Sequence, residues 1–325
     1  MRIPFPWGLW IYNAFVHKEG KVGQWIFHKL AAKPVLFSTV NPEVRVTVAP
    51  NLLREYGYFD AVTSFDTVPH PKDPRQAKVR YRVAMNHPYP LDSIRYIRFR
   101  RQADSIIEAH QSQSLLRKGD LFNVVQLQAE RERISSLLRN EGYYYFRPDF
   151  IVYQADTLLT PGKVALRVTP KESLPRTALR SYRIGQVSVW LHGYENEPPT
   201  DSLLYKDLMI HYEGKLRMRP AVLYQRIHHH PGDRYAQRAQ EETQNDLSRL
   251  NTFRFTEMQY APRDTSRRQD TLDVRIRAVY DLPLDGELEV NMTMKSNDQM
   301  GPGAAFGVTR RNLFGGGEAL QAQLR

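Results

Sequence analysis

Leu52-Leu53-Arg54-Glu55-Tyr56-Gly57-Tyr58-Phe59 and Leu137-Leu138-Arg139-Asn140-Glu141-Gly142-Tyr143-Tyr144 are two copies of one pattern. A weaker third copy is Leu247-Ser248-Arg249-Leu250-Asn251-Thr252-Phe253. Each reads as a helix that stops at Gly or Asn, the residues that most easily take the positive φ required just beyond a helix end. An aromatic residue follows and can fold back onto that end.

The flanks repeat as well. After the first copy come a strand candidate, Asp60 to Phe65, a Pro/Asp loop from Pro69 to Pro74, and a second strand, Lys78 to Val83. After the second come Phe150 to Tyr153, a turn at Thr160-Pro161-Gly162, and Val164 to Val168. After the third come Phe255 to Tyr260, a polar loop from Arg263 to Asp270, and Leu272 to Ile276. Val79 stands as far beyond Gly57 as Val164 stands beyond Gly142. Alternating strand, polar loop and alternating strand predict a β-hairpin in each case.

Lys118-Gly119-Asp120-Leu121-Phe122 and Pro231-Gly232-Asp233-Arg234-Tyr235 look like one loop used twice, each opening a helix (Val125 to Leu138; Gln237 to Leu250). Strand candidates Ile94 to Ile97 and Ile184 to Val189 lie ahead of them. The full unit is strand, helix, helix, strand, strand. A two-helix layer on a three-stranded mixed sheet buries one face of each, so a unit of this kind has its own core. The expected fold class is α+β.

At Leu284 the pattern changes. Leu288, Val290, Met292 and Met294 alternate with Glu287, Glu289, Asn291, Thr293 and Lys295. Gly301-Pro302-Gly303, a short strand through Val308, the stretch Arg311 to Glu318 and the alternating run Leu320 to Leu324 follow. Strands with one apolar and one polar face suit a membrane barrel, although a soluble sheet alternates in the same way. The expected divisions are 1–38 (the tail of a preceding repeat), 39–90 (an incomplete repeat), 91–178 (a repeat), 179–284 (a repeat with an insertion around Gly193 to Leu216) and 285–325 (the first strands of a truncated barrel).

The chain has 325 residues, a net charge of +11 and no cysteine, which excludes disulfides, thiol nucleophiles and thiolate metal sites. The basic residues are spread singly, as at Arg80 and Arg82 or Arg275 and Arg277, and are densest at Arg98, Arg100 and Arg101. Such a spread favours solvated faces over a nucleic-acid footprint. Two prolines interrupt the N-terminal apolar residues, so no signal-peptide core is formed there, and a fragment of a longer exported protein is expected.

The Gly-Tyr-Phe and Gly-Tyr-Tyr helix ends followed by hairpins resemble polypeptide-transport-associated (POTRA) domains. The stretch Phe306 to Glu318, with Asn312-Leu313-Phe314-Gly315, resembles the opening strands of BamA/TamA superfamily barrels. Leu9 to Asn13, Glu130 to Ile134 and Leu138 to Phe146 are most similar to the TamA-like lipoprotein branch of Bacteroidota type. The resemblance covers nearly the whole chain. It implies tandem POTRA repeats in the periplasm, followed by the first antiparallel strands of a transmembrane β-barrel in the outer membrane. It also implies a non-enzymatic role in assembling or translocating outer-membrane proteins. No catalytic residue, cofactor or metal is implied. The implied partners are unfolded outer-membrane or surface clients, a periplasmic or inner-membrane assembly partner, and outer-membrane lipid around the barrel, with no nucleic acid. A soluble periplasmic adaptor that binds partners through sheet edges is the alternative.

An edge strand leaves backbone N–H and C=O groups unpaired and so templates another extended chain, with affinity drawn mainly from main-chain hydrogen bonds. The candidate edges are Asp60, Ala61, Val62, Thr63, Ser64 and Phe65; Phe150, Ile151, Val152 and Tyr153; and Phe255, Thr256, Glu257, Met258, Gln259 and Tyr260. The alternative is that neighbouring repeats block them.

His228-His229-His230 reads as a surface loop before the Pro231-Gly232 turn rather than a set of converging metal ligands. Glu130, Glu132 and Glu141, close to Arg131, Arg133 and Arg139, read as solvent-exposed i,i+3 and i,i+4 pairs. Trp7, Trp10 and Tyr12 are either an interface anchor or packing between repeats.

Overall fold

The computed structural model describes residues 7–17, 20–32, 37–71, 73–97, 99–263, 270–294 and 300–324. It divides into two compact units: residues 1–93 with 118–124 and 156–165, and residues 94–117 with 125–155 and 166–325.

The first unit opens with helices α1 (Trp7–Phe15) and α2 (Lys21–Leu30). They meet where the Tyr12 and Phe27 rings lie 5.3 Å apart. Trp7 and Trp10 lie edge to face, ring centroids 6.4 Å apart, and both are more than half exposed. After the short α3 (Phe37–Val40), α4 (Pro42–Glu55) starts at a proline, whose fixed φ suits a first helical turn. It ends at Gly57, φ +88°. Phe59 then packs on Tyr89 and Phe122, ring centroids 5.3 and 5.2 Å away. Strands β1 (Val62–His70) and β2 (Asp73–Ala84) pair from Val62↔Ala84 to His70↔Asp73. The expected loop from Pro69 to Pro74 is therefore mostly strand. Both strands run on to the pair His70↔Asp73, and cross-strand contacts such as Arg82–Asp66 (2.6 Å) and Phe65↔Tyr81 support the ladder.

The second repeat has the expected order: β3 (Leu91–Tyr96), α5 (Arg101–Ala109), α6 (Val124–Asn140), β4 (Ile151–Asp156) and β5 (Val164–Pro170), with sheet order β3-β5-β4. Leu127, Ile134 and Leu138 recur at helical spacing on α6 and are buried. They face a core that holds Ile107, Tyr143, Phe146, Ile151 and Val168. Arg98 lies outside the described residues.

The third repeat contains β6 (Arg183–His192), β7 (Asp201–Tyr205), β8 (Leu208–Tyr212), α7 (Pro220–Arg226), α8 (Gln237–Ser248), β9 (Phe253–Pro262) and β10 (Thr271–Tyr280). Its sheet runs β7-β8-β6-β10-β9, with β6 parallel to both β10 and β8. The insertion at Gly193 to Leu216 is thus a hairpin that widens the sheet to five strands. Ile184, Val189, Ile210, Leu223, Leu247 and Ile276 form the core under the helices. Asn251 takes the helix-end position with φ +49°. Of the loop Arg263–Asp270, residues 264–269 lie outside the described residues.

The two repeats of the second unit are joined at the Gly142 turn, φ +96°. The Gly142 carbonyl accepts the Tyr182 N–H (2.8 Å), Asn140 Oδ1 accepts the Arg238 N–H (2.8 Å), and Arg234 pairs with Glu141. The Tyr144 ring packs on Tyr235 and Tyr260 of the third repeat, centroids 4.9 and 5.3 Å away.

Strands β11 (Leu284–Met294), β12 (Met300–Arg311) and β13 (Ala319–Leu324) form an antiparallel three-stranded sheet. Gly301-Pro302-Gly303 lies inside β12, paired with Thr293, Met292 and Asn291.

Candidate partner-binding edges and the strand junction

The three candidate edges fall on three different sheets. β4 and β9 are each the outermost strand of their sheet, and β1 belongs to a two-stranded ladder. The bounds differ at two places. Asp60 and Ala61 precede β1: Asp60 accepts the Tyr89 hydroxyl (2.7 Å) and the Asn86 amide (2.7 Å), and Ala61 is buried. Phe150 closes a one-turn 3-10 helix, Pro148–Phe150, before β4. These residues shape the approach to the edge but are not part of it.

On β1, the Thr63 hydroxyl donates to the Val46 carbonyl of α4 (2.6 Å). On β4, Ile151 is buried, and the Tyr153 hydroxyl donates to the Leu127 carbonyl (2.8 Å) beneath the Arg131 guanidinium. On β9, Gln244 of α8 donates to the Thr256 carbonyl (3.2 Å) and hydroxyl (2.8 Å), so one main-chain acceptor is already taken. The other outer strand of the third sheet, β7, exposes Leu203 and Leu204. It is absent from the sequence reading because its turn, at Lys206 with φ +54°, lacks the Asn-Gly signature of tight hairpins.

The three-stranded sheet is two-faced. Leu284, Leu288 and Val290, Val308 and Phe306, and Leu320 and Leu324 share one face through the pairing of β11, β12 and β13. Asp285, Glu287, Glu289, Thr309, Gln321 and Gln323 share the other. The large apolar side chains are uncovered, from Phe306 at 50% to Leu324 at 76% exposed. Soluble sheets bury such a face, whereas barrels turn it to lipid. Among the described residues, no helix is long and apolar enough to cross a membrane.

Residues 311–318 clamp this sheet to the third repeat. Arg311 pairs with Asp281 (3.6 Å) and Asp285 (3.0 Å). The Asn312 amide donates to the Arg217 carbonyl (2.9 Å), and the Arg219 N–H donates to the Gly315 carbonyl (2.9 Å). Glu318 closes the loop by accepting the N–H groups of Phe314 and Gly316; its own backbone N–H first, and then these two, hold its carboxyl low despite the opposing cost of burial.

Two charged features differ from the sequence reading. Glu130 is fully buried, not a solvent-exposed pair. It lies on the α6 face that carries Leu127 and Ile134, a position visible in the spacing. It accepts from Arg133 Nε (2.9 Å) and Nη2 (2.7 Å), the Leu115 N–H (2.9 Å), the Tyr96 hydroxyl (2.8 Å) and the Ser114 hydroxyl (3.1 Å). Glu132 does stay on the surface, accepting from Gln128, and Glu141 holds Arg234 across the repeats.

In the histidine triplet, His228 pairs with Asp246 (3.0 Å) and His230 with Asp207 (3.3 Å), but His229 is buried among Tyr235 and Tyr260. An extended chain sends alternate side chains to opposite sides, which takes the middle one inward. Among the described residues, no His, Asp and Glu group is placed to hold a metal ion. Burial pushes the His229 imidazole down to about 4 from 6.5. It is neutral in the fold and protonates when unfolded. Its stability contribution is therefore complete above pH 6.5 and is lost as pH falls toward 4, a loss of about 3 kcal/mol. Denaturant midpoints taken from pH 7 to 4.5 should fall steeply in the wild type and less in His229→Gln. Parallel curves would show that His229 is not the group responsible.

Comparison with protein-family models finds no match, and comparison with curated proteins finds none. Among solved structures, the chain is similar to BamA from Haemophilus ducreyi lacking POTRA domains 1–3 (14% identity, TM-score 0.47), over 72% of this chain and 37% of that one. It is similar to POTRA3–5 of Haemophilus influenzae BamA (16% identity, TM-score 0.38), over 73% and 79% of the two chains. It is also similar to CdiB from Acinetobacter baumannii (14% identity, TM-score 0.35), over 88% and 46%. The chain thus spans little more than a third of that first BamA structure.

Proposed function

We propose that this chain is the repeat region and first barrel strands of an Omp85-type outer-membrane assembly or translocation factor, within the TamA-like branch. The observation that carries the reading is the succession of β-α-α-β-β units whose sheets end in β4 and β9, followed directly by strands whose apolar face is uncovered. The repeats lie in the periplasm, and the uncovered face belongs in the outer membrane. Clients are held as extended chains along β4 and β9, and along β1 from Val62, then passed to the barrel. Main-chain pairing accepts many sequences, which suits a protein that serves many clients.

The uncovered face also separates this reading from the adaptor, which has no use for an apolar sheet surface. Hydrogen exchange with and without an unfolded outer-membrane strand peptide tests the client sites. The expected result is slowed exchange within 151–156 and 253–262. Unchanged exchange in all the strands would dispose of β-augmentation. Flotation with lipid vesicles tests the membrane reading: the chain should rise with the vesicles, and an adaptor would stay at the bottom.

A further inference from the structure

The junction between the third repeat and β11–β13 contains a polar cavity of about 270 Å³, with Arg217, Tyr280, Asp281 and Arg310 in its wall. Tyr280 is only 5% exposed, yet its hydroxyl has no hydrogen-bond partner. Arg217 Nη1 is also buried without a partner, while its Nη2 is taken by Glu213 (3.2 Å). Arg217 is fixed in place by stacking over the Tyr194 ring at 4.1 Å. Buried polar groups in folded proteins are nearly always paired, so two unpaired donors on residues that wall one cavity point to a missing acceptor.

The remaining charges narrow that acceptor. Asp281 accepts the Leu282 N–H (2.9 Å) and is paired with Arg311, which also holds Asp285. The wall's carboxylate is thus already matched. Arg310 makes no ion pair among the described residues and is exposed. The donors left without a partner are therefore the exposed Arg310 guanidinium and, behind it, the buried Arg217 Nη1 and Tyr280 hydroxyl, a set that suits a phosphate's several acceptor oxygens once it draws the two buried groups toward it.

Position narrows it further. Arg310 pairs with Leu284 and Leu320 on the apolar face, at the end of the ladder next to the 311–318 loop. The uncovered Leu288, Phe306 and Leu324 follow along the same face. A molecule with its phosphate in the cavity has apolar surface running away from it, the layout for an amphiphile with acyl chains. Arginine at the edge of an apolar band also suits the headgroup level of a bilayer.

We propose that this cavity binds the phosphate of a glycerophospholipid, with its acyl chains laid along the β11–β13 face. The proposal rests on the membrane reading above. A bound lipid would tie the third repeat to the bilayer at the point where the strands enter it.

Calorimetry on the full chain tests the site with three probes: dihexanoyl phosphatidylglycerol below its micelle-forming concentration, inorganic phosphate, and dihexanoylglycerol. The variants are Arg310→Gln and Tyr280→Phe, the latter removing only an unpartnered hydroxyl. The phospholipid should bind, about tenfold or more weakly in Arg310→Gln and several-fold more weakly in Tyr280→Phe. Inorganic phosphate should compete for the cavity with at least about tenfold lower affinity. Unchanged phospholipid affinity in both variants overturns the site, as does equal binding of dihexanoylglycerol. Phosphate binding as tightly as the phospholipid overturns the lipid assignment. Vesicle flotation of the wild type is read separately, so its failure counts against the membrane reading and not against this cavity.

Discussion

Glu130→Ala should destabilise the protein by about 3–5 kcal/mol, the range seen when one member of a buried ion pair is removed. Arg133 is only 16% exposed and already has one buried nitrogen, Nη1, without a partner. Losing the carboxylate would leave its charge stranded. The Leu115 N–H and the Tyr96 and Ser114 hydroxyls would lose an acceptor at the same time. Chemical denaturation gives the measurement, and a loss under about 1 kcal/mol would mean that water reaches the site. The double variant Glu130→Leu with Arg133→Met should recover the part of the loss that comes from the stranded Arg133 charge, while the Leu115 N–H stays without its acceptor.

The same carboxylate predicts acid behaviour. Burial alone would raise it, but the Arg133 guanidinium, the Leu115 N–H and the Tyr96 hydroxyl outweigh burial and hold it below its ordinary 4.5. A carboxyl depressed in the fold contributes its full stability above the unfolded value and loses it as pH falls through the folded one. The Glu130 loss should therefore start where the His229 loss is nearly complete. Two successive acid phases, removed one at a time by Glu130→Gln and His229→Gln, distinguish the two groups.

The repeat was legible in the sequence because its signals are local. Gly57, Gly142 and Asn251 mark helix ends by a backbone requirement that few residues meet, and all three have positive φ. The β6, β9 and β10 strands show in their alternation. What stayed hidden depends on tertiary partners. Glu130 shares the helical spacing of Leu127 and Ile134, but the groups that satisfy it, at Tyr96, Ser114 and Leu115, come from other elements. The β7–β8 hairpin turns at Lys206-Asp207, so the segment reads as a plain insertion. The cavity at the junction gathers Arg217, Tyr280 and Arg310 from three separate stretches of chain, and no spacing rule connects them. The edges were legible as strands. Whether an edge is open depends on contacts such as Gln244 to Thr256, which alternation does not encode.

Gly142→Ala should be more damaging than Gly119→Ala, and the reason separates backbone strain from packing. Gly119 and Gly142 have nearly the same φ, +95° and +96°. A left-handed backbone costs a non-glycine residue about 1–2 kcal/mol, so both substitutions share that penalty. A Cβ at Gly119 meets nothing within 4 Å. A Cβ at Gly142 collides with the Ser181 hydroxyl and lies 2.9 Å from Arg234 Cγ, both in the third repeat. Gly119→Ala should thus lose about 1–2 kcal/mol, and Gly142→Ala about 2–4 kcal/mol as overpacking adds to strain. The excess should appear as lost coupling between repeats. Relieving the clash requires the Ser181 and Arg234 side chains to withdraw, which breaks the Ser181 hydroxyl's bond to the Glu141 carbonyl and the Arg234–Glu141 pair. Hydrogen exchange should then show the second and third repeats opening separately in Gly142→Ala and together in the wild type and in Gly119→Ala. Equal losses for the two variants would mean that the turn carries only its own strain and that the aromatic contacts of Tyr144 hold the repeats together.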